Sequence, residues 1–160
     1  MVKKNPTFKG WAMWGRGLAK SVNINVLIPI WLWINNDIKF MVLIGQNYDK
    51  ACILLDDLKA EFEANQRLIN DFGAQQSDRK WESGFFITKS GFVAKAIGMG
   101  QDPRGLRVGN KRPDYESYDD LETKETLKNP KRQKEIADWI LKAAIPAMDT
   151  GNRRAVIAQN

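Results

Sequence analysis

The chain has no histidine. That removes Ser-His triads, histidine metal sites and histidine general bases together, so any catalysis must use carboxylates, Lys, Arg, hydroxyls or a bound metal. There is one cysteine, Cys52. No internal disulfide can form, and a reducing compartment is expected. Long apolar runs are also missing. The most apolar stretch, "INVLIPIWLWI" from Ile24 to Ile34, has 11 residues, against the roughly 20 that a spanning helix needs. It lies too far into the chain, without a small-residue cleavage site, to read as a signal peptide. It reads as a buried helix that Pro29 kinks or interrupts. There is no internal repeat and no low-complexity tract.

What remains is a 160-residue chain, 43% apolar. That length and composition suit one globular domain, residues 1–160, with a real core. The net charge is +6 and the pI about 9.5, which favours a polyanionic partner such as a nucleic acid or a nucleotide. Plain solubility accounts for that charge equally well.

Along the chain, "FKGWAMW" (Phe8 to Trp14) predicts a short strand, followed by a Gly-containing loop over Gly15 to Ser21 and the apolar helix to about Asn35. "KFMVLIG" (Lys39 to Gly45) is a continuous apolar run, the pattern of a strand buried on both faces. From Asn47 to Asp71 the spacing becomes helical. Ala51, Leu54, Leu55, Leu58, Phe62 and Ile69 share one face, Asn47 or Asp49 can cap the start, and Gly73 can end it. Ser83 to Gly98 predicts a hairpin turning at Lys89-Ser90-Gly91. A Gly-, Pro- and Arg-rich loop leads to "DYESYDD" (Asp114 to Asp120), a strand ending in two acids. Asn129 and Pro130 open a helix with Ile136, Trp139, Ile140 and Ala143 on its buried face and Pro146 as its stop. "RAVIAQN" (Arg154 to Asn160) is a final strand. The alternation predicts an α/β fold with a mainly parallel sheet and an inserted antiparallel hairpin.

Two stretches carry candidate chemistry. "WGRGLAKS" departs from the phosphate-loop pattern G-x-x-x-x-G-K-[ST], with Trp14 and Ala19 in place of the two glycines, but Lys20 and Ser21 are in position. Backbone N–H groups of such a loop hold phosphate oxygens, the Lys reaches the β/γ-phosphates and the Ser holds Mg²⁺. "YESYDD" supplies Asp119 and Asp120 at a predicted strand end. The first would hold Mg²⁺ through water and the second would polarise the attacking water. An acidic turn capping the following helix fits the same residues, and Glu116 and Ser117 are unusual in such a strand. Asp119 lies 99 residues after Lys20, with the strand at 39–45 between their two strands along the chain. That order suits the additional-strand class of phosphate-loop ATPases, which insert a strand between the loop strand and the acidic strand.

These residues, taken together, resemble a known family. "GRGLAKSV", "KFMVLIGQNYDKACILLDDLKAEFEANQRLINDFG", "GMGQDPRGLR" with "RPDYESYDDLE", "NPKRQKEIADW" and "RAVIAQN" occur in the order of the ATPase domain of the large subunit of tailed-phage terminases. The similarity runs from about Gly10 to Asn160. It implies a three-layer αβα phosphate-loop NTPase of the additional-strand type, with ATP and Mg²⁺ as substrate and cofactor. Gly15, Arg16, Gly17, Leu18, Ala19, Lys20 and Ser21 would then bind ATP, with Arg16 on the γ-phosphate. Ser21 and Asp119 would sit on the metal side, and Asp120 would occupy the catalytic acid position. Gln159 would fall at the coupling position, often Thr in the family. The resemblance further implies double-stranded DNA, a portal protein and a small terminase subunit as partners, a homo-oligomeric ring, and a place in the host cytoplasm, transiently at the procapsid portal, with no membrane. It also implies a short, split or fragmentary motor with an incomplete sheet, with little of the upstream adenine-contacting segment and without the nuclease domain.

The basic residues suit DNA. Residues 1–22 carry Lys3, Lys4, Lys9, Arg16 and Lys20 with no acid, and residues 101–113 carry Arg104, Arg107, Lys111 and Arg112 against Asp102. Arg104 and Arg107 are candidates for DNA contact or for a finger reaching a neighbouring subunit's ATP. A solvated surface explains most single lysines. The competing reading is a catalytically silent module that binds DNA or packaging partners.

Overall fold

A computed structural model of the chain describes residues 5–15, 17–121, 126 and 128–159. Seven strands form one sheet in the order β1-β7-β6-β2-β5-β4-β3. Their ranges are β1 (Lys9–Met13), β2 (Phe40–Gly45), β3 (Trp81–Glu82), β4 (Phe85–Ile87), β5 (Val93–Gly98), β6 (Tyr115–Asp119) and β7 (Arg154–Gln159). The run β1-β7-β6-β2-β5 is parallel throughout. β4 and β3 add an antiparallel extension to β5, as the hairpin pattern predicts. The two-residue strand β3 was too short to signal itself in the sequence.

The strand that separates the loop strand from the acidic strand is β7, not the strand at 39–45. β7 pairs with β1 on one side and β6 on the other, while β2 lies beyond β6. The additional-strand arrangement therefore holds with a different strand in the extra position. Apolar periodicity could not order the strands, because β2 and β7 are both apolar runs.

Helices cover both faces. Side chains of a strand alternate between faces, so β2 sends Met41 and Leu43 into one core and Phe40, Val42 and Ile44 into the other. The first core is closed by the helix after β1 and by α3 (Tyr48–Ala64), the second by α5 (Pro130–Trp139) and its continuation. Every β2 residue is buried, as the continuous apolar run requires.

The helix after β1 has three segments: α1 (Lys20–Val22), a π-helical turn (Asn23–Leu27) and α2 (Ile28–Ile34). It runs through Pro29 without interruption. Proline lacks an N–H and its ring clashes with the carbonyl four residues back. A π turn precedes the ring, and another element supplies the missing donor. Ile28 N–H bonds to Asn23 O, five residues back, so the π partner of Ile24 O would be the missing N–H of Pro29. The buried Tyr115 hydroxyl donates to Ile24 O instead, at 2.7 Å. The helix ending at Pro146 repeats the device. After α5 comes a π turn (Ile140–Ala144) and then α6 (Ile145–Ala147), which contains Pro146 rather than stopping before it. The wider turn also moves the buried position from Ala143 to Ala144, which is fully buried. Tyr115→Phe leaves Ile24 O without its donor. The expected cost is about 1–2 kcal/mol, read as a lower thermal midpoint at neutral pH.

Two further expectations change. The helix at 47–71 is two helices, α3 and α4 (Gln66–Phe72), because Asn65 is extended (φ −73°, ψ 101°) and its side chain accepts from the N–H groups of Arg67 and Leu68. Asn47 does cap α3, accepting from Lys50 N–H, and Gly73 closes α4 at φ 76°. The apolar helix is also not buried all round. Leu27, Trp31 and Ile34 are exposed, while Ile24, Val26 and Leu32 face the core. β1 forms one edge of the described sheet, with Trp11 and Met13 exposed on it. Among the described residues no helix is long and apolar enough to cross a membrane.

Candidate nucleotide site

In a parallel sheet, ligands bind beyond the carboxyl ends of the strands. β1, β7 and β6 run side by side and parallel, and the loop after β1 lies over their carboxyl ends. A cleft of ≈ 510 Å³ there is lined by Gly15, residues 17–22, Asp119 and Asp120. The structure thus brings together the two stretches that the sequence separates by 99 residues.

The loop's shape depends on two left-handed residues. Gly17 has φ 83° and Ala19 φ 51°. Ala19 is the residue before the first helical turn, and its carbonyl accepts from both the backbone N–H and the side-chain Nδ2 of Asn23. That pair of bonds holds Ala19 in a conformation that costs a non-glycine residue roughly 1–2 kcal/mol. Ala19→Gly is therefore expected to raise stability by up to about 1 kcal/mol, read by thermal melting, with the cleft's shape retained.

Lys20 opens the helix and is only 7% exposed. Asp119 ends β6 and is 3% exposed. Strand alternation puts Asp119 on the same face of β6 as Tyr115, the face covered by the helix after β1. Two bonds tie helix and strand together: Tyr115 to Ile24 O, and Asn25 Nδ2 to Asp119 Oδ2 at 2.7 Å. Asp120 follows at φ 50°. This left-handed step turns the chain out of the strand, so that the second acid is exposed beside the buried first one.

Not every sequence candidate meets here. Arg16 lies outside the described residues. Gln159 pairs with Met13 at the end of β7, but it does not line the cleft. By strand alternation it shares a face with Ala155 and Ile157, which pack in the second core, opposite Asp119. Arg104 and Arg107 are exposed on the loop between β5 and β6, where Arg104 N–H bonds to Asp102 and Arg107 Nε donates to Gly109 O. They are not in the cleft.

Sequence reasoning passed over Asn25. The one available signal is a polar residue inside an apolar run, "INVLIPIWLWI".

Glu116 and Ser117 are fully buried within β6. Tyr118 Oη donates to Glu116 Oε2, and burial pushes the Glu116 carboxyl up to about 7. Both residues are internal to the sheet and are not part of the cleft.

A larger cavity of ≈ 610 Å³ lies at the other end of the strands, beside their amino ends, between Trp33, Lys39, Phe72 and Asp114. Its two carboxylates already have structural work. Asp114 accepts from Lys39 and Phe40 N–H, and Asp149 from Gly151 and Asn152 N–H. Burial raises Asp114 to about 6 against those bonds and Arg154. The bonds from Asn152 and Gly151 hold Asp149 below the usual carboxylate range.

The donors in the 510 Å³ cleft fit magnesium. Mg²⁺ favours hard oxygens and is usually held by one or two carboxylates, substrate phosphates and waters. Ser21 and Asp119 offer a hydroxyl and a carboxylate. Among the described residues no cluster of three or more His, Cys, Asp or Glu is arranged as an all-protein metal cage.

No family model and no curated protein matches the sequence. Solved structures share the fold, two of them as follows. One is the N-terminal domain of the DNA packaging ATPase from bacteriophage phi29, at 12% identity and a TM-score of 0.59, covering 96% of this chain and 73% of that one. The other is the bacteriophage phi-29 viral genome packaging motor assembly, at 14% identity and a TM-score of 0.56, where 99% of this chain spans 44% of its neighbour. The chain has the open, mostly parallel α/β fold of a phage DNA packaging ATPase N-terminal domain.

Proposed function

We propose that this chain is the ATP-hydrolysing domain of a phage DNA-packaging motor of the terminase large-subunit kind. The observation that carries the reading is the cleft itself. A loop ending in Lys20 and Ser21 faces an Asp119–Asp120 pair across the strand ends, in a chain with the fold of a packaging ATPase domain.

In this reading the loop's backbone N–H groups and the first turn of the helix hold the phosphates of ATP. Lys20 places its ammonium on the β/γ oxygens, and Arg16 reaches the γ-phosphate. Ser21 and Asp119 hold Mg²⁺, which when bound neutralises charge developing on the transferred phosphoryl group. Asp120, exposed next to Asp119, orients the attacking water and accepts its proton. The chain works on double-stranded DNA within a ring of copies, together with a portal and a small subunit. Arg104 and Arg107 supply phosphate contacts or reach a neighbouring copy's nucleotide.

One observation favours a second reading, the silent DNA- or partner-binding module. Trp14 and Ala19 replace both glycines of the loop pattern. The test is Mg²⁺-dependent ATP hydrolysis with and without double-stranded DNA. The motor reading expects hydrolysis that DNA stimulates. No hydrolysis, with DNA binding that weakens linearly in log[salt], would replace it with the silent module.

A further inference from the structure

Asn25 is buried to 1% exposure, in a π turn whose other buried residues, Ile24 and Val26, are apolar. Its Nδ2 donates to Asp119 Oδ2, the only side-chain hydrogen bond that Asp119 makes among the described residues. Its own Oδ1 has no partner among them. A buried unsatisfied amide oxygen costs about 1–3 kcal/mol, and an apolar residue would avoid that cost. The site therefore keeps a polar side chain at a place where packing alone favours Leu or Ile, a local conflict that is typical of functional positions.

The π turn explains how Asn25 reaches the acid. In an α-helix, at about 100° per residue, a residue five after Lys20 is rotated roughly 140° away from it. Here Asn23–Leu27 bonds from i to i+5, so the backbone turns less per residue and Asn25 stays nearer the face of Lys20. Isolated π turns of this kind occur often at functional sites. The same turn leads directly into the segment that contains Pro29.

We propose that Asn25 is a positioning residue for the metal-side carboxylate. By donating to Oδ2 it fixes the rotation of the Asp119 carboxyl group and leaves Oδ1 for the magnesium–nucleotide complex. It also joins the loop helix rigidly to the acidic strand, so the element that carries Lys20 and Ser21 and the element that carries Asp119 move as one body. This inference rests on the nucleotide reading of the cleft.

The test measures binding of a fluorescent ATP analogue while Mg²⁺ is titrated, for the wild-type chain, Asn25→Leu, Asn25→Ser and Lys20→Ala. Asn25→Leu keeps the volume and removes the donor. The expected result is a rise of about 10- to 100-fold in the Mg²⁺ concentration for half-maximal binding, with affinity in excess chelator unchanged within about twofold. Asn25→Ser, which can donate through a water, should recover part of the loss. Lys20→Ala should lose binding with and without metal. An unchanged Mg²⁺ dependence in Asn25→Leu overturns the inference and leaves the nucleotide reading intact. Equal losses with and without metal also overturn it, since they mean a merely structural role. If Asn25→Leu does not fold by circular dichroism, Asn25→Ser is judged by the same two criteria. A wild-type chain that binds no nucleotide overturns the nucleotide reading, and this inference with it.

Discussion

Lys20→Ala is expected to lower Mg²⁺-dependent ATP hydrolysis by about 100-fold or more, and Asp120→Asn by about 10²- to 10⁴-fold. The two changes remove different functions. Lys20 stands at the start of the helix and lines the cleft, so in the proposed reading its loss removes a fixed positive charge from the phosphates. The KM for ATP should rise as kcat falls. Asp120 is exposed, and Asn tolerates its left-handed backbone well. Asp120→Asn should therefore fold as well as the wild-type chain and bind ATP normally while failing to turn it over. Steady-state kinetics of both variants, alongside thermal melts, check this. Hydrolysis unchanged in both would remove the cleft from the mechanism.

The second large effect concerns stability rather than chemistry. Glu116 is fully buried in the middle of β6, and its carboxyl is pushed up to about 7, first by burial, against the stabilising bond from Tyr118. In the unfolded chain the same group titrates near 4.3. Between those values the folded state holds a proton that the unfolded state has lost. Stability therefore falls as pH rises through that window and levels off above it. Asp114, raised to about 6, acts in the same direction over a narrower window. Glu116→Gln keeps an acceptor for Tyr118 and cannot ionise. It is expected to leave stability near pH 4 almost unchanged and to raise it by about 3–4 kcal/mol at pH 8. Urea melts of both proteins at pH 5 and pH 8 check it. An equal midpoint for both at pH 8 would mean that Glu116 carries no such penalty.

Much of the architecture was legible because it follows from short-range rules. The apolar run at 39–45 suits a strand buried on both faces, and it is β2. Asn47 and Asn129 announce the starts of α3 and α5 by side-chain acceptors that meet free N–H groups. What failed to show depends on long-range partners. Nothing local tells that Arg154–Gln159 inserts between β1 and β6, since that order is set by which strand edges remain to be paired. Pro29 and Pro146 read as breaks because the rule for proline assumes an α-helix. A π turn ends two residues before each ring, and at Pro29 the Tyr115 hydroxyl from another element supplies the missing donor. Asn65 read as one more polar helix residue, although its side chain caps a second helix.

The candidate site was legible to a similar degree. Lys20, Ser21, Asp119 and Asp120 could be chosen from residue type and order, and the fold places all four on one cleft. Gln159 came from the family resemblance, at the coupling position, and strand alternation turns it to the face opposite Asp119. Asn25 could not be chosen from spacing, because its bond to Asp119 forms only where a π turn meets the end of β6.

The central claim is that this cleft holds magnesium-bound ATP. Isothermal titration calorimetry of the wild-type chain and Lys20→Ala with ATP, in Mg²⁺ and in chelator, tests it most directly. The account predicts one site per chain that tightens with Mg²⁺ and is lost in Lys20→Ala. No heat of binding in the wild-type chain, or the same affinity in both proteins, would contradict it.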